Sequence, residues 1–149
     1  MATVTLREVT AATVRAICAL ETSEEQRRFV APNAVSIAQA YFEPRATFRA
    51  VYADELPVGF VMWRPMDDPG VAFLWRFMID RRHQRQGHAK QAIALLIALL
   101  QEAGYRHLKT SVVLGSGGPL DFYRSLDFVE TDALLANGER VLMRGLTPG

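Results

Sequence analysis

Residues 71–103 combine a strand, a basic turn and a helix, and this stretch constrains the fold most. The run "VAFLWRFMID" is almost uninterrupted apolar sequence as far as Asp80, which is typical of a buried strand. A helix is predicted from about Gly87 to Ala103, with a stop at Gly104. Its apolar stripe consists of Ile93, Leu96, Ile97 and Leu100. A strand that leads through a glycine-containing turn into a helix makes an anion site, because free N–H groups point outward at the helix start.

The turn itself is strongly basic, with Arg81, Arg82, Arg85 and Lys90 around Gly87 and no acid within the run to balance them. Cations at a helix N-terminus oppose the helix dipole by about 0.3–1 kcal/mol each at exposed sites. A bound pyrophosphate would reverse that penalty, because both sets of positive charge would then face one anion. The residues alone favour this interpretation no more than an ordinary solvated basic turn. The sequence has neither a nucleoside-triphosphate P-loop nor a dinucleotide-binding G-x-G-x-x-G.

The remaining segments predict an α+β fold, or mixed α/β in looser terms, with a mostly antiparallel sheet. The expected order is β-α-α-β-β-β-α-β-α-β-β. The second helical region, 22–43, is predicted to be interrupted at Pro32, and Asn137-Gly138 predicts a final hairpin.

Composition sets further limits. The 149 residues are 50% hydrophobic and 22% charged with a net charge of +1, which indicates one domain over residues 1–149. The near-zero charge disfavours nucleic acid as a partner. The single Cys18 excludes an intramolecular disulfide and a cysteine-based zinc cluster. The absence of a signal peptide or a long apolar run predicts a cytoplasmic protein without a membrane segment.

Three segments in order resemble the GNAT superfamily of N-acetyltransferases. The stretch "MIDRRHQRQGHAKQAI" is similar to its acyl-coenzyme A loop, with Gln84, Gly87 and Ala89 in the motif positions. The stretch "GPLDFYRSLDFVET" is similar to its later Phe-Tyr helix and the strand that follows. The stretch "EEQRRFVAPNAVSIAQAYFEP" is similar to a bacterial subgroup labelled spermine/spermidine acetyltransferase.

This resemblance implies the GNAT acyl-CoA N-acyltransferase fold and acetyl transfer from acetyl-CoA to an amine, without a metal. It implies that Tyr123 is the general acid that protonates the departing thiolate. It also implies that the strand near Met78 supplies a backbone N–H to the oxyanion, and that this strand separates from the next to admit the pantetheine arm. The implied coenzyme-binding residues are Phe77, Met78, Ile79, Gln84, Arg85, Gln86, Gly87, His88, Ala89, Lys90 and Ser116.

The acceptor side is less defined by the sequence. Glu21 and Glu25 are candidates for attracting a cationic amine such as a polyamine, and Trp75 is a candidate pocket wall. The general base stays open. The alternatives are a non-catalytic acyl-CoA-binding regulatory module and an acetyltransferase that acts on a protein or peptide amine. The apolar "ERVLMRGL" segment allows a homodimer through the C-terminal strands.

Two positions depart from the family pattern. Ser116 stands where Asn is frequent, which leaves a coenzyme or water contact in question. Asp127 stands where Gly is usual, and Asp tolerates the positive φ expected there better than most residues.

Overall fold

The computed structural model describes residues 2–24, 26–27, 30–115 and 118–146. The predicted order of elements is confirmed. The strands are β1 (Val4–Arg7), β2 (Thr47–Ala53), β3 (Leu56–Pro65), β4 (Val71–Ile79), β5 (His107–Val112), β6 (Val129–Leu134) and β7 (Arg140–Gly145). The helices are α1 (Val14–Ala19), α2 (Asn33–Tyr41), α3 (His88–Glu102) and α4 (Leu120–Ser125), and a single 3₁₀ turn covers Arg81–His83. None of the described helices is long and apolar enough to cross a membrane.

One sequence prediction about the helices is wrong. The segment before Pro32 is not helical where it is described, and α2 begins only at Asn33. The Gln26 and Arg27 amides instead close turns on the Ser23 carbonyl. The predicted interruption at Pro32 and the helix start at Asn33 are confirmed, because proline removes a backbone donor and disfavours helical backbone in the residue before it.

All strands join one seven-stranded sheet in the order β1-β2-β3-β4-β5-β7-β6. Only β4 and β5 pair in parallel, so the predicted mostly antiparallel sheet is confirmed. Strand β7, which carries the "ERVLMRGL" segment, is bonded to a strand on each side. It therefore offers no free edge for dimerisation, and the edges of the sheet are β1 and β6.

Helices cover both faces of the sheet. On one face the predicted stripe of α3 is confirmed, since Ile93, Leu96 and Leu100 are buried and Ile97 packs partly against the same core. Each such side chain contributes about 1.5–3 kcal/mol through burial. On the other face, Ile17 of α1 and Ile37 of α2 pack against β-strand residues that include Phe60. Because α3 is packed on the sheet in this way, the loop that precedes α3 lies at a fixed position relative to the centre of the sheet.

Local backbone geometry agrees with two further predictions. Gly138 has φ of 87° in the turn between β6 and β7, as the Asn-Gly pair predicts. Asp127 has φ of 68°, so it adopts the left-handed conformation expected of the glycine that it replaces.

Candidate active site

The centre of the sheet is open where β4 and β5 separate. Their parallel pairing runs from Val71 and His107 only as far as Leu74 and Thr110, although both strands continue beyond these residues. At the point of separation the Thr110 hydroxyl donates to the Leu74 carbonyl oxygen, with an Oγ1–O distance of 2.9 Å. The separation expected between these two strands is therefore present.

A β-bulge re-aims the side chains of β4 beside this opening. Leu74 pairs with Trp63 of β3 and Arg76 pairs with Met62, so Trp75 is the extra residue. Trp75 packs on the α1–α2 face of the sheet, and Arg76 reaches Gln39 of α2 on the same face. Phe77 returns to the α3–α4 face, where its ring stacks on Phe122 with centroids 6.3 Å apart.

The gap between the strands widens into a cleft of about 770 Å³. Most of the residues predicted to bind coenzyme or acceptor lie in its lining: Trp75, Phe77, Met78, Ile79, Gln84, Arg85, Gly87, His88, Ala89, Lys90 and Tyr123. Gln86 and Glu21 are not among the lining residues. Ser116 and Glu25 lie outside the described residues. The fold thus gathers residues from β4, the loop before α3 and α4 around one space.

At one end of the cleft the start of α3 forms a cradle. Gly87 is the N-cap, with φ of 83°, and a Cβ built on it would meet nothing closer than the Gln91 side chain at 3.9 Å. No side chain in the described part of the chain caps the helix. The N–H groups of the first turn therefore remain available for an anion in the cleft.

The Gln84 side chain holds this loop in place. Its Nε2 donates to the Ile79 carbonyl oxygen at 2.9 Å and to Oε1 of Gln26 at 2.7 Å. Gln84 thus ties the loop both to the end of β4 and to the segment between α1 and α2. Its amide acts on the position of the loop.

Two of the four basic side chains in the loop pair with acidic residues that lie outside the basic run itself. Arg81 forms an ion pair with Glu21 at 3.3 Å, and Arg82 forms one with Asp80 at 2.9 Å. The expectation that no acid balances the basic side chains is therefore wrong for Arg81 and Arg82. It holds for Arg85 and Lys90, which line the cleft and form no ion pair with a described residue.

The Glu21 carboxylate is consequently engaged in ion pairs with two arginines. Its carboxylate is paired with Arg27 at 3.2 Å as well as with Arg81. A carboxylate shared by two guanidinium groups has little attraction left for a cationic amine. Its location, outside the cleft lining, gives no support to the acceptor-binding role predicted for it.

The Asp80 carboxylate anchors the start of the loop. It is buried, and it accepts hydrogen bonds from the Glu21 amide at 2.9 Å and from the Arg82 amide and Nε at 3.1 and 2.9 Å. Burial opposes its ionisation, but the hydrogen bonds outweigh burial and hold the pKa of the Asp80 carboxyl below its usual value.

We expect Asp80→Asn to destabilise the protein by about 1–3 kcal/mol at pH 7, because a buried acceptor and its charge are lost. A lowered pKa stabilises the fold above the ordinary carboxyl pKa, and this stabilisation is lost as the pH falls through the native value. The difference in free energy of unfolding between wild type and variant should therefore shrink below about pH 4. Urea unfolding from pH 3 to 7 measures this, with Asp67→Asn on a fully exposed side chain as the control. A difference that does not depend on pH would contradict this role.

The main chain of β4 presents alternate N–H groups to the cleft. The Asp80 N–H donates to the Val58 carbonyl of β3 at 2.7 Å, and Met78 pairs with Phe60 of the same strand. Since amides alternate sides along a strand, the Met78 N–H also faces β3. The N–H groups of Phe77 and Ile79 face the open side. The strand near Met78, from which an oxyanion donor is expected, therefore presents these two amides to the cleft.

Tyr123 stands on α4, where the two strands separate. Its ring is buried edge-on against Phe122 and Phe128, with centroid distances of 5.2 Å to each. Burial raises the pKa of its phenol well above the ordinary value, and a hydrogen bond with the Thr110 side chain opposes this only partly. The phenol is therefore protonated at neutral pH.

One carboxylate in the described part of the cleft lining, Glu139, was missed in the sequence. Its Oε1 accepts from the Ser111 hydroxyl at 3.0 Å, and its carboxylate also accepts from the Asn137 amide. Strand β7 brings it to the end of β5 through the Ser111–Val141 pairing. The Asn-Gly hairpin was the available signal, because it places the residue that follows it at the mouth of the sheet.

Known proteins share the sequence pattern of this chain. The model of the acetyltransferase (GNAT) family matches residues 11–128. The chain belongs to the GNAT acetyltransferase family. It is an acetyl-CoA-dependent N-acetyltransferase by this membership.

Solved structures support the GNAT fold. An acetyltransferase from Thermus thermophilus has a TM-score of 0.73 at 18% identity, covering 97% of this chain and 99% of that one. Ard1 from Thermoplasma volcanium has a TM-score of 0.76 at 18% identity, with the same coverages. A Bacillus subtilis acetyltransferase in complex with CoA has a TM-score of 0.71 at 15% identity, covering 99% and 100%. No curated protein sequence matches this chain significantly.

The residues of this GNAT site fit coenzyme A. The start of α3 offers unpaired N–H groups and a Gly87 cradle that a Cβ would begin to fill, with Arg85 and Lys90 beside it for phosphate charge. The open edge of β4 offers amides to an extended arm, and Phe77, Phe122 and Tyr123 line the same cleft.

Proposed function

We propose that this GNAT enzyme transfers the acetyl group to a primary amine of a small molecule by direct attack, with Tyr123 as general acid. The observation that carries the proposal is the position of Tyr123, which lines the cleft at the separation of β4 and β5. Acetyl-CoA supplies an activated thioester carbonyl. In the transfer the amine nitrogen bonds to the carbonyl carbon, the carbon–sulfur bond breaks, and the sulfur takes a proton from the Tyr123 phenol. The nitrogen releases one proton to solvent, and the Tyr123 phenolate takes one back from solvent, which restores the acid.

The same part of the cleft holds donors for the negative charge that develops on the carbonyl oxygen. The Phe77 and Ile79 amides face the opening and are fixed by the pairing of β4 with β3. Fixed backbone donors stabilise such charge without reorganising during the reaction. We assign the oxyanion contact to one of these two amides.

The cleft is lined from both faces of the sheet, which separates donor from acceptor. Tyr123 and the α3 loop lie on one face, while Pro32 and Trp75 line the cleft from the α1–α2 face. We place the acceptor amine on the α1–α2 face. An alkylamine with a pKa near 10.4 is neutral in only about one molecule in a few thousand at pH 7, so the amine must lose a proton before attack.

A polyamine is the acceptor that the subgroup resemblance suggests, and it enters the test as one candidate. Glu139 is the one carboxylate among the described lining residues that can face a cationic amine. A polyamine carries several cationic nitrogens, whereas Arg27 and Arg76 add positive charge to the same lining. The structure therefore lends a polyamine no additional support.

Release of free thiol from acetyl-CoA tests the proposal across a panel of spermidine, amino acids, amino-acid amides, aminoglycosides and short peptides. We expect turnover with at least one small amine above the rate of acetyl-CoA hydrolysis. Tight coenzyme binding without turnover on any member would instead support a non-catalytic acyl-CoA-binding module. Turnover confined to peptides would move the acceptor to a protein amine.

We also propose a homodimer, formed through the β6 edge and not through β7. Strand β6 is a sheet edge with the exposed apolar side chains Val129 and Leu134. Sedimentation of the wild type and of Leu134→Lys tests it, since a charge on an edge strand blocks pairing between strands. A wild-type monomer at micromolar concentration would exclude it.

A further inference from the structure

The guanidinium of Arg76 is an unusual group to find in a site for cationic amines. Arg76 lines the cleft on the α1–α2 face, one residue after the bulge in β4. It forms no ion pair within 4.0 Å with any described residue. Among the cations of this lining, Arg85 and Lys90 belong to the coenzyme loop, and Arg27 is paired with Glu21. Among the described lining residues, Arg76 is thus the arginine at the acceptor end that has no ion-pair partner.

Two hydrogen bonds hold the Arg76 guanidinium in place but do not use all of its N–H donors. Nη1 donates to the Trp75 carbonyl oxygen at 3.0 Å, and Nη2 donates to Oε1 of Gln39 at 3.0 Å. Nε is buried and has no hydrogen-bond partner among the residues that the structure describes. A guanidinium has five N–H donors, and the described residues supply neutral acceptors for two of them.

Burial makes the positive charge of Arg76 energetically unfavourable unless an anion lies beside it. Burial lowers the pKa of the Arg76 guanidinium below its ordinary value, and the Glu139 carboxylate opposes that effect from within the same cleft. Trp75 lies against one side, with its ring centroid 5.6 Å from the guanidinium carbon. A planar, pre-oriented guanidinium on an aromatic wall is the arrangement that binds a carboxylate with two parallel hydrogen bonds.

Arg76 and Glu139 therefore present opposite charges to one part of the cleft. The Glu139 carboxylate is held by Ser111 of β5, beside the open edge of β4. A ligand that satisfies both groups carries both an ammonium and a carboxylate. A polyamine satisfies only Glu139 and places like charge beside Arg76.

We infer that the acceptor is a zwitterionic amino acid, with its carboxylate bound by Arg76 and its ammonium directed to Glu139. This inference rests on the proposed amine acetylation and deepens it by naming the acceptor class. The free carboxylate is the determinant of specificity, so C-terminal amides of the same amino acids are poor substrates.

The test compares wild type and Arg76→Gln on free L-amino acids, their amides and spermidine, by thiol release. We expect wild type to show kcat/KM at least about tenfold higher for its best free amino acid than for the matching amide, the range lost with one charge-assisted contact. Arg76→Gln should lower kcat/KM for the free acid at least about tenfold, mainly through KM, and change the amide less than about threefold. Arg76→Lys should recover part of the loss, because it restores charge without the planar fork.

Arg64→Gln is the matched control, because Arg64 also lies near the Trp75 ring, at 5.7 Å, but is not a lining residue. Coenzyme A affinity reports whether each variant is folded. If Arg76→Gln fails to fold, the comparison of acid with amide on wild type still decides. Equal use of amide and acid, preference for spermidine, or equal losses on acid and amide would each overturn the inference.

A binding measurement separates this inference from the proposed function. In the presence of coenzyme A, N-acetyl amino acids should bind wild type at least about tenfold more tightly than their amides, and Arg76→Gln should remove the difference. If no amine supports thiol release but this preference is found, the proposed reaction fails while the carboxylate site stands. If neither is found, both fail.

Discussion

Replacing Tyr123 by Phe is expected to lower kcat by about 10²–10⁴-fold, the usual contribution of a positioned proton donor. The ring contacts with Phe122 and Phe128 are retained in this variant, so the core loses only a hydroxyl. Coenzyme affinity should change less than about threefold. Single-turnover thiol release and calorimetric titration with coenzyme A measure the two effects separately.

The matched control is Tyr105→Phe, which removes a hydroxyl from a tyrosine that packs against the same core but is not in the cleft lining. Since the pKa of Tyr123 is raised, its proton is held through the whole range in which the amine becomes neutral. The wild-type rate should therefore rise with pH up to about 10 without loss of the acid. An unchanged kcat in Tyr123→Phe at every pH would remove Tyr123 from the reaction.

The parts of the fold that could be predicted from sequence depend on local chemistry. The stripe of α3, the Asn137-Gly138 hairpin and the positive φ of Asp127 each follow from residues close together in the chain. The gathering of the coenzyme loop and Tyr123 in one cleft agrees with the family resemblance, because its motifs sit at fixed ends of strands and helices.

The parts that could not be predicted depend on pairing between distant segments. Arg81 forms an ion pair with Glu21, which lies 60 positions away in the sequence. The segment that follows Glu21 is a turn, although the sequence predicts a helix there. Arg76 and Glu139 reach one cleft only because β7 inserts between β5 and β6 and because the bulge turns Arg76 towards α2. Neither the insertion nor the bulge has a signature in a single sequence, so the acceptor side stayed open while the donor side was predictable.

Replacing Gly87 by Val is expected to lower coenzyme A affinity at least about tenfold. Gly87 has φ of 83°, a conformation that costs a β-branched residue roughly 1–3 kcal/mol, so the loop relaxes away from the start of α3. The Cβ would occupy open space in the cleft where an anion approaches the N–H groups of the first turn. Both effects act on the donor site, so KM for acetyl-CoA should rise while KM for the acceptor changes little.

Gly104→Val tests whether a loss of stability alone weakens coenzyme binding. Gly104 has a similar φ of 90°, has no atom within 4 Å of a built Cβ, and lies outside the cleft lining. It should lose similar stability, measured by urea unfolding, while keeping coenzyme affinity. The coenzyme affinity of Gly87→Ala should fall between that of Gly87→Val and that of wild type, because the alanine side chain is smaller and less restricted in the left-handed region.

Phosphate competition tests whether the cradle is the anion site. Raising the phosphate concentration should weaken coenzyme binding to wild type, and it should weaken binding to Gly87→Val much less. Equal coenzyme affinity in wild type and Gly87→Val would show that the pyrophosphate is held elsewhere, and Arg85 and Lys90 would then be solvated charges on an ordinary turn.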